Sequence, residues 1–169
     1  MPARITLALC GLMAASTAAL AADAGSGVEV KRNGAPNAPF SSSVWAGDLL
    51  FLSGTLGETK VPEGAPAGTP ATVVGDTAAQ TRSVLTRIQK SLEEQGLTLG
   101  DVVQMNVFLA GDSKLDGKMD FNGMNTVYRE FFGTAAQPNK PARSTVQVAA
   151  LALGALVEID VVAARPKKH

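Results

Sequence analysis

The sequence has few residues from which a metal or thiol site can be built. Its 169 residues contain one cysteine and one histidine. Cys10 lies in an apolar N-terminal run, and His169 ends the chain after two lysines. Zinc sites use several such ligands, and a serine triad needs a positioned histidine. We therefore expect no metal site, no disulfide, no cysteine catalysis and no Ser-His triad.

Charge is also scarce, and neither sign is in excess. Lysine and arginine together number 15, aspartate and glutamate also number 15, and 46% of the residues are hydrophobic. Binding to a phosphate backbone normally requires a surplus of positive charge. The length and composition therefore predict one globular domain with no nucleic-acid partner.

An apolar segment rich in alanine follows Arg4 and ends near Leu20. It is short for a membrane span, and residues 19–21 have the small-x-small pattern of a cleavage site. We interpret it as a signal peptide, which predicts a periplasmic or secreted protein without a stable membrane anchor; a buried N-terminal helix is the alternative. The chain then divides into a signal peptide (1–21), a flexible leader (22–27), one domain (28–165) and a basic tail (166–169).

Hydrophobic periodicity predicts strands and helices in an order typical of an α+β domain with two helices packed on one face of a single mixed sheet. The segment 59–70, rich in proline and glycine, is predicted to be a surface loop. The predicted elements are strands at 28–31, 42–45 and 48–53, a helix from Asp76 to about residue 95, a strand at 102–109, a helix with Phe121, Met124, Tyr128 and Phe131 on its apolar stripe, and two strands within 141–164.

The other face of such a sheet would lack a helical cover. We expect Trp45 and Phe51 in the core, and the uncovered face to be apolar enough for burial between subunits. Its predicted members include Val103, Val107, Val146 and Val148.

Two charged residues stand out in the apolar C-terminal run. Arg143 begins the first of its two strands, and Glu158 lies in the middle of the second. A charge in such surroundings is costly unless it is paired, so we expect the two to face each other or a shared polar ligand. Two explanations stay open at this point: a structural ion pair, or a site in which the guanidinium binds a carboxylate and Glu158 handles a water or a proton.

The run that starts at Pro141 reads Pro-Ala-Arg-Ser-Thr-Val-Gln-Val, and the run that ends at Asp160 reads Leu-Gly-Ala-Leu-Val-Glu-Ile-Asp. Together they resemble the signature of the Rid family, also called YjgF or reactive intermediate deaminase family. The resemblance implies a YjgF/chorismate-mutase-like fold that assembles as a homotrimer with clefts between subunits. It covers residues 28–165 in order and includes Leu50–Gly54, Gly75–Thr81, Asp101–Leu109 and Phe121–Phe132.

The resemblance also implies an activity, the hydrolysis of enamine and imine intermediates to 2-keto acids and ammonia without metal or cofactor. Arg143 would bind the substrate carboxylate, and Glu158 would orient and polarise the attacking water. The match implies a substrate-binding role for Phe40, Ser53, Gly54, Thr55, Asn125 and Thr145.

Two positions depart from the family pattern. Phe40 stands where the deaminases usually have a tyrosine, and Thr145 where they often have a cysteine. Three functions are therefore compared: an exported imine or enamine deaminase, a trimer that binds a small carboxylate without turnover, and an endoribonuclease or translation inhibitor. The balanced charge, the lack of a histidine for the cleft and the signal peptide count against the third.

Overall fold

One mixed sheet organises residues 27–167, which are those that the computed structural model describes. The predicted signal peptide with Cys10, most of the leader and the end of the basic tail with His169 lie outside the described residues. The strands are β1 (Val30–Asn33), β2 (Ser43–Ala46), β3 (Leu49–Leu56), β4 (Thr59–Lys60), β5 (Thr72–Val73), β6 (Val102–Ala110), β7 (Ala142–Val148) and β8 (Val157–Ala164), and the helices are α1 (Thr77–Glu94) and α2 (Phe121–Phe131).

The order of strands in the main sheet is β1-β2-β3-β8-β6-β7. Only β6 and β7 run parallel, and the other neighbours are antiparallel, which confirms the predicted mixed sheet. Strand β6 lies between β7 and β8, so the two C-terminal strands are not neighbours. The segment 59–70, predicted to be a loop, begins with β4, and β5 follows just after its end; the two strands pair as a separate ribbon.

Both helices begin and end where local chemistry favours it. The Asp76 side chain caps α1 by accepting from the Ala79 amide, and Gly96, with φ of 74°, follows its end. Helix α2 is capped in the same way by Asp120, but its predicted stripe is partly wrong, because Phe121 is exposed and Val127 is buried instead. Among the described residues, no helix has the length and apolarity needed to cross a membrane.

The core lies between the helices and one face of the sheet. Alternate residues of β6 and β8 point into it, as the period of two requires. Trp45 is buried as predicted, whereas Phe51 is 43% exposed on the opposite face, so its core assignment is wrong for the single chain. Val107 was predicted on the uncovered face, but it is 1% exposed and lies on the helix side.

The face without helices carries exposed apolar side chains, as the strand pattern predicted. They come from β3, β6 and β7, and each is at least 40% exposed in the single chain. Large apolar side chains exposed together on one sheet face are typical of a protein interface. These side chains are Leu49, Phe51, Val103 and Val146.

Gln80 connects α1 to the segment between β7 and β8. Its side chain is 1% exposed, donates to the Gly75 carbonyl at 3.0 Å and accepts from the Leu156 amide at 2.7 Å. We expect Gln80→Leu to lower the free energy of unfolding by about 1–3 kcal/mol, because a backbone N–H loses its acceptor away from water. Urea unfolding followed by circular dichroism measures this loss.

The matched control is Gln89→Leu, on the outer part of the same helix. Gln89 contacts Glu93 on the helix surface, so this change should alter the unfolding free energy by less than about 0.5 kcal/mol. Equal stability of the two variants would show that the Gln80 bridge does not contribute.

Candidate functional site

Arg143 lies on the helix side of β7, where α2 holds its guanidinium. Its Nη2 donates to Asn125 Oδ1 at 3.1 Å, and its Cζ lies 4.2 Å from the centroid of the Tyr128 ring. A third, weaker contact joins Nη1 to the sulfur of Met124 at 4.0 Å. A guanidinium has five N–H donors in a planar fork, so donors remain for a ligand carboxylate. The group is thus positioned before any ligand binds.

Tyr128 supplies the ring on which Arg143 lies. It stacks on Phe132 with 5.0 Å between ring centroids. Burial raises the pKa of the Tyr128 phenol, and the positive charge of Arg143 partly opposes this rise. The phenol therefore stays neutral at physiological pH, and its ring attracts the guanidinium through a cation–π contact. Sequence reasoning placed Tyr128 only in the core; its spacing of three residues from Asn125 was the signal available.

Thr145 belongs to the same part of the site. It follows Arg143 by two residues and is paired with Val107, so its side chain lies on the helix side of the sheet. Its hydroxyl is buried and has no hydrogen-bond partner among the described residues. Arg143, Asn125 and Thr145 therefore form one group, called here the arginine group.

Glu158 lies on the other face of the sheet. It is paired with Phe108 of β6 and Leu56 of β3. The pairing of β3 with β8 is irregular between Leu52 and Thr55, and this irregularity brings Gly54 against the Glu158 carboxylate. A Cβ atom on residue 54 would overlap that carboxylate, so a larger residue there would force the carboxylate out of this position.

Ser53 ties the Phe40 segment to this place. Its hydroxyl donates to the Ser41 carbonyl at 2.7 Å, and its amide donates to the Ser42 carbonyl at 3.1 Å. Phe40 itself is 66% exposed. Ser53, Gly54 and Glu158 form the second group, called here the glutamate group, and Phe40 lies next to the segment that Ser53 holds.

Thr55 follows Gly54 in β3 but belongs to neither group. It is paired with Ile159, whose side chain is buried on the helix side, so it points away from Glu158. Its hydroxyl donates to the Ser53 carbonyl at 3.2 Å. In the single chain Thr55 therefore stabilises the irregular part of β3 around Gly54.

The two groups do not meet within one chain. The register places Arg143 level with Val161 and Glu158 level with Val146, on opposite faces and with β6 between them. The strand spacing and rise give a separation of about 10 Å across the sheet and about 10 Å along it. Within the described residues of one chain Arg143 and Glu158 form no ion pair, and they do not face each other.

A cleft of about 420 Å³ adjoins the arginine group. Its volume falls in the range of small-molecule sites. Asn125 and Tyr128, which hold Arg143, also form part of its wall. Among residues 27–167 no three His, Cys, Asp or Glu side chains cluster as a metal site would require. The cleft is lined by Asn125, Tyr128, Arg129, Phe132, Gly133 and Lys140.

Comparison with known proteins gives one consistent result. The sequence profile of a family described as Endoribonuclease L-PSP matches residues 31–165. A RutC family protein of Pyrococcus horikoshii is 37% identical over 76% of this chain and 88% of its own length. The 2-iminobutanoate/2-iminopropanoate deaminase of Dermatophagoides farinae is 33% identical over 74% of this chain and 84% of its own.

A solved structure, E. coli TdcF with bound serine, has the same fold. It superposes with a TM-score of 0.60 and 28% identity, covering 83% of this chain and 98% of its own.

Proposed function

The chain belongs to the Endoribonuclease L-PSP family, also called YjgF or Rid, and from this premise we propose that it hydrolyses 2-imino acids to 2-keto acids and ammonia. The observation that carries the proposal is the Arg143 guanidinium, held by Asn125 and Tyr128 with donors left for a carboxylate. The relative from Dermatophagoides farinae is named as a deaminase of two such imines. TdcF was solved with serine, which also carries a carboxylate.

In this proposal Arg143 binds the carboxylate of the imino acid and so places the C=N carbon. A charge-assisted pair of hydrogen bonds contributes about 1.5–3 kcal/mol. The cation–π contact with Tyr128 and the bond to Asn125 limit the positions of the guanidinium before the substrate arrives. Less conformational entropy is then lost on binding.

Glu158 orients the water and accepts its proton as the oxygen attacks the imine carbon. The C=N π electrons move to nitrogen, which takes up a proton and becomes an amine. The resulting carbinolamine collapses: the amine nitrogen takes the proton held by Glu158, the hydroxyl gives its proton back to the carboxylate, a C=O bond forms, the C–N bond breaks, and ammonia leaves. Water supplies the keto oxygen of the product, and the proposed reaction uses no cofactor.

The site is proposed to form between copies of the chain. The arginine group and the glutamate group lie on opposite faces of one sheet, so a small ligand can touch both only where two copies meet. The exposed apolar face of the sheet offers the surface for that contact. We propose the homotrimer implied by the family resemblance, with each cleft taking the arginine group of one copy and the glutamate group of its neighbour.

The compartment is proposed from the N-terminal segment. Residues 1–21 have the pattern of a signal peptide, which would deliver the protein to the periplasm or outside the cell. The imines would then be supplied by an oxidative deamination of amino acids in that compartment.

A second candidate function is binding of a small carboxylate without turnover. Phe40 favours it, because a phenylalanine cannot donate the hydrogen bond that a tyrosine would provide. Endoribonuclease activity, which the family's description names, has less support, since 15 basic residues are balanced by 15 acidic ones.

The function is tested with imines made in the reaction vessel. An amino-acid oxidase, with catalase to remove peroxide, generates 2-imino acids in the presence of semicarbazide, and absorbance follows the semicarbazone. We expect the purified mature chain to suppress the semicarbazone and to release the 2-keto acid faster. No suppression with small, apolar or charged amino acids would reject the deaminase and leave ligand binding as the better explanation.

The contact between Gly54 and Glu158 gives a further prediction. Gly54→Ala should lower kcat/KM for the imines by about tenfold or more, because the new methyl displaces the carboxylate from its place. The control is Gly100→Ala, where the nearest atom to a new Cβ is 3.4 Å away. If Gly54→Ala reacts like wild type, the position of the Glu158 carboxylate does not matter for the reaction.

A further inference from the structure

We propose that the cleft beside Arg143 selects imines that carry a second carboxylate, so that the preferred substrates derive from acidic amino acids. The turnover part of this inference rests on the proposed function. The ligand preference rests on the cleft itself, which has a positive wall that binding of the first carboxylate does not use.

Two cations line the cleft beside the residues that hold Arg143. Arg129 and Lys140 belong to its wall, and no acidic residue does. Neither has a carboxylate within ion-pair distance among residues 27–167. Glu130, the acid next to Arg129 in the chain, is paired with Arg82 of α1 instead. The two charges are therefore available to an anionic group of a ligand.

Arg129 is placed so that a ligand bound at Arg143 and lying along α2 could reach it. Arg129 follows Asn125 by four residues, so it lies on the same helix face about 6 Å further along. Asn125 is bonded to Arg143, which takes the first carboxylate. A substrate bound there can extend its side chain toward Arg129.

Lys140 approaches the cleft from the other side. A Cβ on residue 133 would overlap Lys140 Cε, so the lysine stem lies across Gly133, just beyond the C-terminal end of α2. Gly133 has φ of 74°, a conformation in which glycine is favoured. The stem thus covers backbone while the ammonium stays at the solvent-facing cleft.

The middle of the cleft suits the methylene groups of such a ligand. Its wall includes the stacked rings of Tyr128 and Phe132. A neutral side chain would gain only this apolar contact, whereas a carboxylate adds charge-assisted hydrogen bonds at its end. Because both cations are exposed, solvent screens part of that gain, and the expected preference is about tenfold.

The test compares two imines of equal chain length. Oxidases generate the imines of glutamate and norvaline, and kcat/KM is measured for each with the full mature chain. We expect wild type to favour the glutamate imine about tenfold, and the double variant Arg129→Gln/Lys140→Met to lose that ratio. The control, Arg87→Gln/Lys90→Met on α1, removes the same charges away from the cleft and should keep the ratio. A wild-type ratio of one or less, or an equal loss of the ratio in both double variants, would overturn the inference.

Binding of unreactive acids separates this inference from the proposed function. Calorimetry with glutarate and butyrate should show about tenfold tighter binding of glutarate by wild type and no preference in the cleft variant. A glutarate preference without imine hydrolysis would reject the deaminase and keep the ligand class. Hydrolysis of both imines without any acidic preference would keep the deaminase and reject the ligand class.

Discussion

Replacing Arg143 with alanine is expected to lower kcat/KM for 2-imino acid hydrolysis by about a hundredfold or more. The substrate carboxylate loses its charge-assisted donors, and the imine carbon is no longer held in place for the attacking water. The semicarbazone assay with the imines of several amino acids measures the loss. Arg143 is only partly buried, so its removal should leave the fold intact, which circular dichroism checks.

The conservative variant distinguishes charge from geometry. Arg143→Lys keeps a positive charge but has neither the planar fork nor the same stacking on Tyr128. We expect it to regain only part of the activity and to remain about tenfold or more below wild type. Wild-type rates in both Arg143 variants would show that Arg143 does not bind the substrate.

Mixing two inactive variants should restore activity if each cleft is shared between copies. Arg143→Ala lacks the arginine group and Glu158→Gln lacks the glutamate carboxylate, so each refolded alone should be inactive. In a cyclic assembly of randomly mixed copies, about a quarter of the clefts combine an intact Arg143 with an intact Glu158. Refolding the two variants together should therefore give about a quarter of the wild-type rate.

The control for subunit exchange mixes wild type with the double variant Arg143→Ala/Glu158→Gln. If each cleft is shared, this mixture has about half of the wild-type activity without exchange and about a quarter after random exchange. Exchange itself is detected independently, as mixed assemblies of a tagged and an untagged variant in native mass spectrometry. If mixed assemblies form and the two single variants still fail to complement, the cleft is not shared. Light scattering gives the size of the assembly, and a monomer at micromolar concentration would also contradict the shared cleft.

Local elements could be predicted well because their causes are local in the chain. Asp76 caps α1 through an amide three residues away, and Gly96 follows the end of the helix. The alternation of buried and exposed residues in β8 follows from the period of a strand. The predictions that were wrong concern faces: Phe51 is exposed and Val107 is buried, since periodicity does not say which face of a sheet the helices cover.

The candidate site was also predictable only where the signal was local in the sequence. The signature around Arg143 and Glu158 indicated the family from the sequence alone, and Asn125 was singled out by the same match. The ring of Tyr128 under Arg143 and the cations Arg129 and Lys140 were not singled out as site residues, because helix spacing alone does not identify the strand that packs on a helix face.

Residue types and spacings within short segments were enough to predict the class of fold, the limits of most helices and strands, and the family. The position of Arg143 and Glu158 on opposite faces of one sheet could be seen only in the folded chain. That result depends on β6 pairing between β7 and β8, and on the register of both pairings. Two strands that follow each other in the chain can therefore be separated by another strand in the sheet. Strand order depends on how the entire sheet packs against its helices, which short sequence patterns do not reveal.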